Sequence, residues 1–184
     1  MQNKLLIPEQ IIALKDYPLH NEQILKIYFR VFQMKQGKIL PPCPVIHKSA
    51  GIPYTRGENS KSNLYNVQLK KFLEEHPRAE YFLLDGNHKS TAAALSRQPL
   101  PVIVLQKNHD FKYCKKLAKE GKIFGWYAIG SSISGALKEL EQHYLKHFSE
   151  KPAFYFYTVA EKAKELAKNN DVSEYMIKAF KKLN

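Results

Sequence analysis

The chain has 184 residues, 44% of them hydrophobic and 25% charged, which suits one folded domain with room for a small appendage and excludes disorder over most of its length. Its two cysteines, Cys43 and Cys114, have neither metal-ligand nor redox spacing, and two lone thiols suit a reducing compartment. The net charge of +12 permits a polyanionic partner without demonstrating one, because the lysines are dispersed and form no basic block. The opening Met1 to Pro8 has too short an apolar run for a signal peptide and no stretch is long enough to span a membrane, so the expectation is a cytoplasmic protein without a membrane partner.

In chain order, a short strand or turn is expected near Leu5 to Pro8. A helix follows over residues 22–36, with Ile24, Ile27, Tyr28 and Val31 making one apolar face. Gly37 supplies the left-handed residue that commonly ends a helix. Residues 39–46, punctuated by Pro41, Pro42 and Pro44, read as the entry to a short edge strand. Residues 49–62 are polar and rich in Gly, Ser and Asn, which predicts a mobile loop. A helix is expected over 66–75, then a buried strand at 81–84, a turn at Asp85-Gly86-Asn87, a helix over 89–96 and a strand at 102–105. Further helices are expected at 111–120 and at 137–148, the latter with Leu137, Leu140, Tyr144 and Phe148 on one face. A strand at 154–157 precedes two helices over 159–183, broken at Asn169-Asn170-Asp171.

The strand–turn–helix at 81–96 carries the chemistry. The first N–H groups of a helix lie ahead of its hydrogen-bond ladder, and the dipole adds partial positive charge there, so such a start accepts anions. Gly86 permits the tight turn and close approach of a ligand. Lys89 brings a full charge, Ser90 and Thr91 bring hydroxyl donors, and His88 can donate to phosphate or move a proton near neutral pH. Asp85, at the end of the strand, is a candidate magnesium ligand. The competing structural reading is an Asp-Gly-Asn turn that caps a helix without any ligand.

The run Leu83-Leu84-Asp85-Gly86-Asn87-His88-Lys89, followed by Ala92-Ala93-Ala94-Leu95 and by Leu100-Pro101-Val102-Ile103-Val104-Leu105, resembles the hallmark of the ParB/sulfiredoxin superfamily. Upstream, the 22–36 helix, Gly37 and Pro42-Cys43-Pro44-Val45-Ile46 are similar to that superfamily's helix, glycine and Pro-Ile-x-Val strand, so the likeness extends from about residue 20 to 106. Sulfiredoxins carry a cysteine immediately before the motif histidine, and Asn87 stands there instead. Chromosome-partitioning ParB proteins carry an arginine-rich motif that is missing here. Free serine kinases, with Asp-Gly-His-His-Arg, are matched best, at Asp85, Gly86, His88 and Lys89. Asn87 replaces a histidine and Lys89 an arginine, which keeps the charge but loses the two-pronged grip on phosphate.

The resemblance implies an α/β (α+β) fold with a small mixed sheet flanked by helices. The expected division is a nucleotide-phosphate domain over 1–109 and a mainly helical extension over 110–184 packed on it. It implies ATP, ADP or another nucleotide as cofactor with Mg, phosphate contacts from Gly86, Asn87, His88, Lys89, Ser90 and Thr91, and a small hydroxyl-bearing acceptor. Asp85 and His88 would take catalytic roles, with Glu22 as general base; the competing reading of Glu22 is a first-turn carboxylate complementing the helix dipole.

Other patterns are weaker. Residues 130–137 have the glycine spacing of a P-loop, but Ala136 and Leu137 stand at its charged and hydroxyl places. His143 and His147 are read as surface histidines without a third metal ligand, and the aromatics at 154–157 as core or sheet-face residues. The tail has the spacing of a helix-turn-helix, with Lys178, Lys181 and Lys182 available for DNA phosphates, and a plain helical hairpin as its simpler reading.

Overall fold

Each apolar run at the centre of the chain alternates between two faces, and that alternation builds the molecule. The computed structural model describes residues 2–14, 19, 21–123, 131–150 and 156–182, apart from the side chains of 14, 147, 149 and 150. Six strands, β1 (Gln2–Leu6), β2 (Ile11–Leu14), β3 (Cys43–His47), β4 (Tyr81–Leu83), β5 (Leu100–Leu105) and β6 (Phe156–Thr158), form one mixed sheet in the order β1-β5-β3-β4-β2-β6. β3 runs parallel to β5 and β4 parallel to β2, while β1–β5, β3–β4 and β2–β6 are antiparallel.

Ile11, Val45, Tyr81, Leu83, Val102 and Val104 point to one face, where helices α1 (Glu22–Gln33), α3 (Asn87–Leu95), α6 (Val159–Lys168) and α7 (Glu174–Lys182) bury them. Ile12, Ile46, Phe82, Ile103 and Leu105 point to the other, covered by α2 (Ser60–Glu75), α4 (Asn108–Lys119) and α5 (Ile133–Glu150). The fold is therefore α/β, with the expected mixed sheet flanked by helices. β6 pairs with β2 across the expected boundary at residue 109, and both apolar layers draw on the two sides of it. Among the described residues no helix is long and apolar enough to cross a membrane.

Several expectations are corrected. β3 is interior and lies between β5 and β4, because the carbonyl of Pro44, rather than its missing N–H, takes the bond from Leu84 N (3.0 Å). α1 buries Leu25, Phe29 and Phe32, whereas Ile24 and Ile27 on the expected apolar face are exposed. Gly37 does not cap that helix: the left-handed residue is Lys35 (φ 59°), and a glycine is needed at 37 because the Phe32 ring stands 2.3 Å from where a Cβ would be. The 49–62 loop is fastened to α2, with Tyr65 Oη donating to the Pro53 carbonyl (2.7 Å) and Asn66 bonded to Thr55 in both directions. α2 itself begins earlier, at Ser60, capped by Asn59. His143 is only half-buried, although its Nε2 is enclosed; the side chain of His147 and residues 154 and 155 lie outside the described residues.

Candidate functional site: the Asp85–Lys89 turn

The short β4 ends in the middle of the sheet, and the chain reverses into α3 over three residues, Leu84, Asp85 and Gly86. Gly86 is the N-cap of α3 with φ 104° and ψ 33°, a left-handed conformation that L-residues rarely take. Its approach to β3 adds a second demand: an added Cβ would stand 2.3 Å from Cys43 Sγ. Cys43, assigned to a separate element by the sequence, is thus the floor of the turn. Complete burial pushes its thiol up to about 11, against the opposing influence of Lys89, so it is no thiolate nucleophile.

The first helical bond of α3 is Ser90 N to the Gly86 carbonyl (2.8 Å), so the N–H groups of Asn87, His88 and Lys89 lie ahead of the ladder. Asp85 accepts from Gly86 N (2.6 Å), and burial, the largest influence, raises its carboxyl above the usual range despite that bond and the nearby Lys89 and His88.

His88 is half-buried, and its Nε2 accepts from the backbone N–H of Asn21 (3.2 Å), which places the proton of the neutral ring on Nδ1. Asn21 caps α1, its side chain accepting from Ile24 N (3.1 Å). The starts of α1 and α3 therefore meet at His88. Glu22, the next residue, is exposed; its carboxylate accepts from the Ser173 hydroxyl and from Lys26 (3.1 Å), which hold it below the usual range.

The remaining expected ligands turn inward. Lys89 is 4% exposed, and its ammonium donates to the Pro41 carbonyl and lies 5.8 Å from the centroid of the Tyr28 ring. Ser90 and Thr91 are buried, and the Ser90 hydroxyl donates back to the Asn87 carbonyl (3.0 Å). Gly86, Asn87 and His88 stay partly accessible. The sequence did not reveal Cys43, Tyr28, Pro41 and Asn21 as the surroundings of the turn; the prolines before Cys43 were the one available signal, since they fix an extended approach toward β4.

Of the tail lysines, Lys181 and Lys182 are exposed and Lys178 pairs with Glu174 (2.7 Å), while α6 and α7 lie against α3 as a helical hairpin. A cavity of about 580 Å³ lies beyond the far end of α3, where Glu9 and Glu161 balance Arg97 and Lys164, so it does not select an anion. No known protein family matches the chain, nor does any curated protein or solved structure.

Proposed function

We propose that the turn at residues 85–89 binds the phosphate of a nucleotide and that the protein transfers phosphate to a small hydroxyl-bearing molecule. The observation that carries the reading is the meeting of two helix starts at His88, which sums two positive dipole ends at one point. The anion would rest on the backbone N–H groups of Asn87, His88 and Lys89 and on the His88 ring. Lys89 would act from behind, its charge felt through the turn rather than through direct contact. Asp85 offers a single carboxylate, a fit for magnesium where nucleotide phosphates and water complete the octahedron. The bound ion would polarise the transferred phosphoryl group. Glu22, next to Asn21, would accept the acceptor's hydroxyl proton; its lowered pKa keeps it ionised but makes it a weak base, which a loose phosphoryl-transfer step tolerates.

The test is a thermal-shift series with ADP, ATP and other nucleotides, with and without magnesium. A ligand at 100 times its Kd adds about 2.7 kcal/mol, a rise of about 5–10 °C in Tm. His88→Ala should shrink that rise while leaving the unliganded protein folded. A panel that shifts nothing, or a His88→Ala protein that unfolds while binding nucleotide as before, sinks the phosphate site. Where phosphate is transferred, Glu22→Gln should slow turnover about 100- to 10,000-fold at unchanged nucleotide affinity. An unchanged rate would leave Glu22 as a helix-start carboxylate.

A further inference from the structure

We propose that the outward face of α1 docks an acidic amphipathic helix of a partner protein. One face of α1 is committed to the core through Leu25, Phe29 and Phe32. The opposite face carries a second apolar stripe, Ile24, Ile27, Val31 and Met34, with Ile27 61% and Met34 66% exposed, and Ile39 continues it just past the helix at 73% exposed. Monomeric surfaces rarely leave aliphatic side chains contiguous in this way.

The spacing identifies the kind of occupant. Steps of three, four and three residues are the a–d–a–d spacing of a coiled-coil seam, with β-branched Ile24 and Val31 at one set of positions and Ile27 and Met34 at the other, so the fitting occupant is another amphipathic helix. A helix lying in a lipid surface instead needs a broad apolar face with aromatic anchors, and this seam is narrow.

The rim identifies the charge. Arg30 flanks the seam, and Lys35 and Lys38 stand past its end, none of them with a carboxylate partner among the described residues. The nearby acid, Glu22, is held by Lys26 and Ser173. A second copy would bring the same cations to the seam, and two chains of +12 repel each other. Glutamates on a partner helix would face these cations without opposition.

The experiment uses the full chain and a labelled synthetic peptide of three heptads, with Ile and Leu at the seam positions and Glu at both flanks, against a twin with Lys at the flanks. By fluorescence anisotropy at low salt the acidic peptide should bind with a Kd on the order of 10 μM and the basic one should not. Ile27→Ser should weaken binding at least about tenfold with Tm unchanged, since the side chain is already in water. Arg30→Glu with Lys38→Glu should transfer the preference to the basic peptide. No binding of the acidic peptide at about 100 μM, equal binding of the twins, or affinity that survives Ile27→Ser overturns the proposal. So does a dimer in light scattering that Ile27→Ser makes monomeric, which gives the seam to a second copy. Co-sedimentation with vesicles of phosphatidylserine and phosphatidylcholine in equal parts, lost in Ile27→Ser, gives it to a lipid surface and overturns the proposal equally.

Discussion

α3 and α6 each follow a short strand of the same sheet, α3 after three intervening residues and α6 directly, and they begin differently. α6 closes its own start: Thr158 Oγ1 accepts from Glu161 N (3.2 Å), Glu161 accepts from Thr158 N (2.7 Å), and His76 seals the other carboxylate oxygen (2.9 Å). The Thr158 and Glu161 N–H groups and both Glu161 carboxylate oxygens thus have partners from the chain itself, as a capping box provides. α3 starts at Gly86, which has no side chain to cap with, on a floor of Cys43. A helix start closed by its own acid serves stability, whereas one left to backbone N–H groups and a histidine is suited to an anion from outside. That difference, more than the motif's letters, separates a structural turn from a candidate site.

The largest effect that would break the comparison is expected at Gly86. Gly86→Ala must hold a positive φ and place a methyl group against Cys43 Sγ, at a combined cost of about 3 kcal/mol, or about 9 °C in Tm. Both penalties are absent at Thr158, so no alanine change at the start of α6 should match it. Adding Cys43→Ala removes the clash but not the backbone strain and should recover part of the loss. If Gly86→Ala is neutral by thermal denaturation, the turn is not held as described, and its approach to β3 places no demand on the sequence.

Those contacts also mark where the sequence stopped being informative. β4, α3 and β5 were legible because a buried run, a glycine turn, an alanine helix and a second buried run each signal locally. β2 was not: its four residues, Ile11 to Leu14, become a strand only through partners far along the chain, at Tyr81 and Phe156. α1 carries two apolar stripes, and periodicity cannot say which faces the sheet until Phe29 and Phe32 are seen packed there. At the candidate site the composition of the turn was readable, but the inward course of Lys89 and the place of Cys43 beneath Gly86 are contacts through space between β3 and α3.

A middle-sized effect should appear at the self-closed start. Glu161→Ala removes the acceptor for Thr158 N and the partner of His76 together, a loss of about 1–2 kcal/mol by chemical denaturation. Nucleotide-induced shifts should be untouched, because α6 begins beside α2 and not at the turn. A loss of nucleotide response in Glu161→Ala would erase the functional distinction between the two helix starts.

The smallest effect is a pH dependence that only the start of α6 should show. His76 donates from Nδ1 to the Phe72 carbonyl (2.9 Å) and from Nε2 to Glu161, and two acceptors require the doubly protonated ring. Burial, the largest single influence, opposes that charge, but the Phe72 carbonyl and the carboxylates of Glu161 and Glu75 together raise His76 above 6.5. A folded-state pKa above the unfolded one gives a contribution fully present below about pH 6.5 and lost as pH rises through the folded value. For Glu161, burial again opposes, yet bonds from Thr158 and His76 lower it below 4.5, so its contribution is present above that value and fades as pH falls through the folded one. The pair should therefore stabilise α6 most between about pH 4.5 and 6.5, by no more than about 1 kcal/mol because it is partly exposed. Measured as Tm against pH, His76→Gln should lie below the wild type at about pH 6 and converge with it near pH 8.5. Parallel curves would show that the ring's stacking on Phe72, at 4.3 Å, stabilises this start rather than its charge.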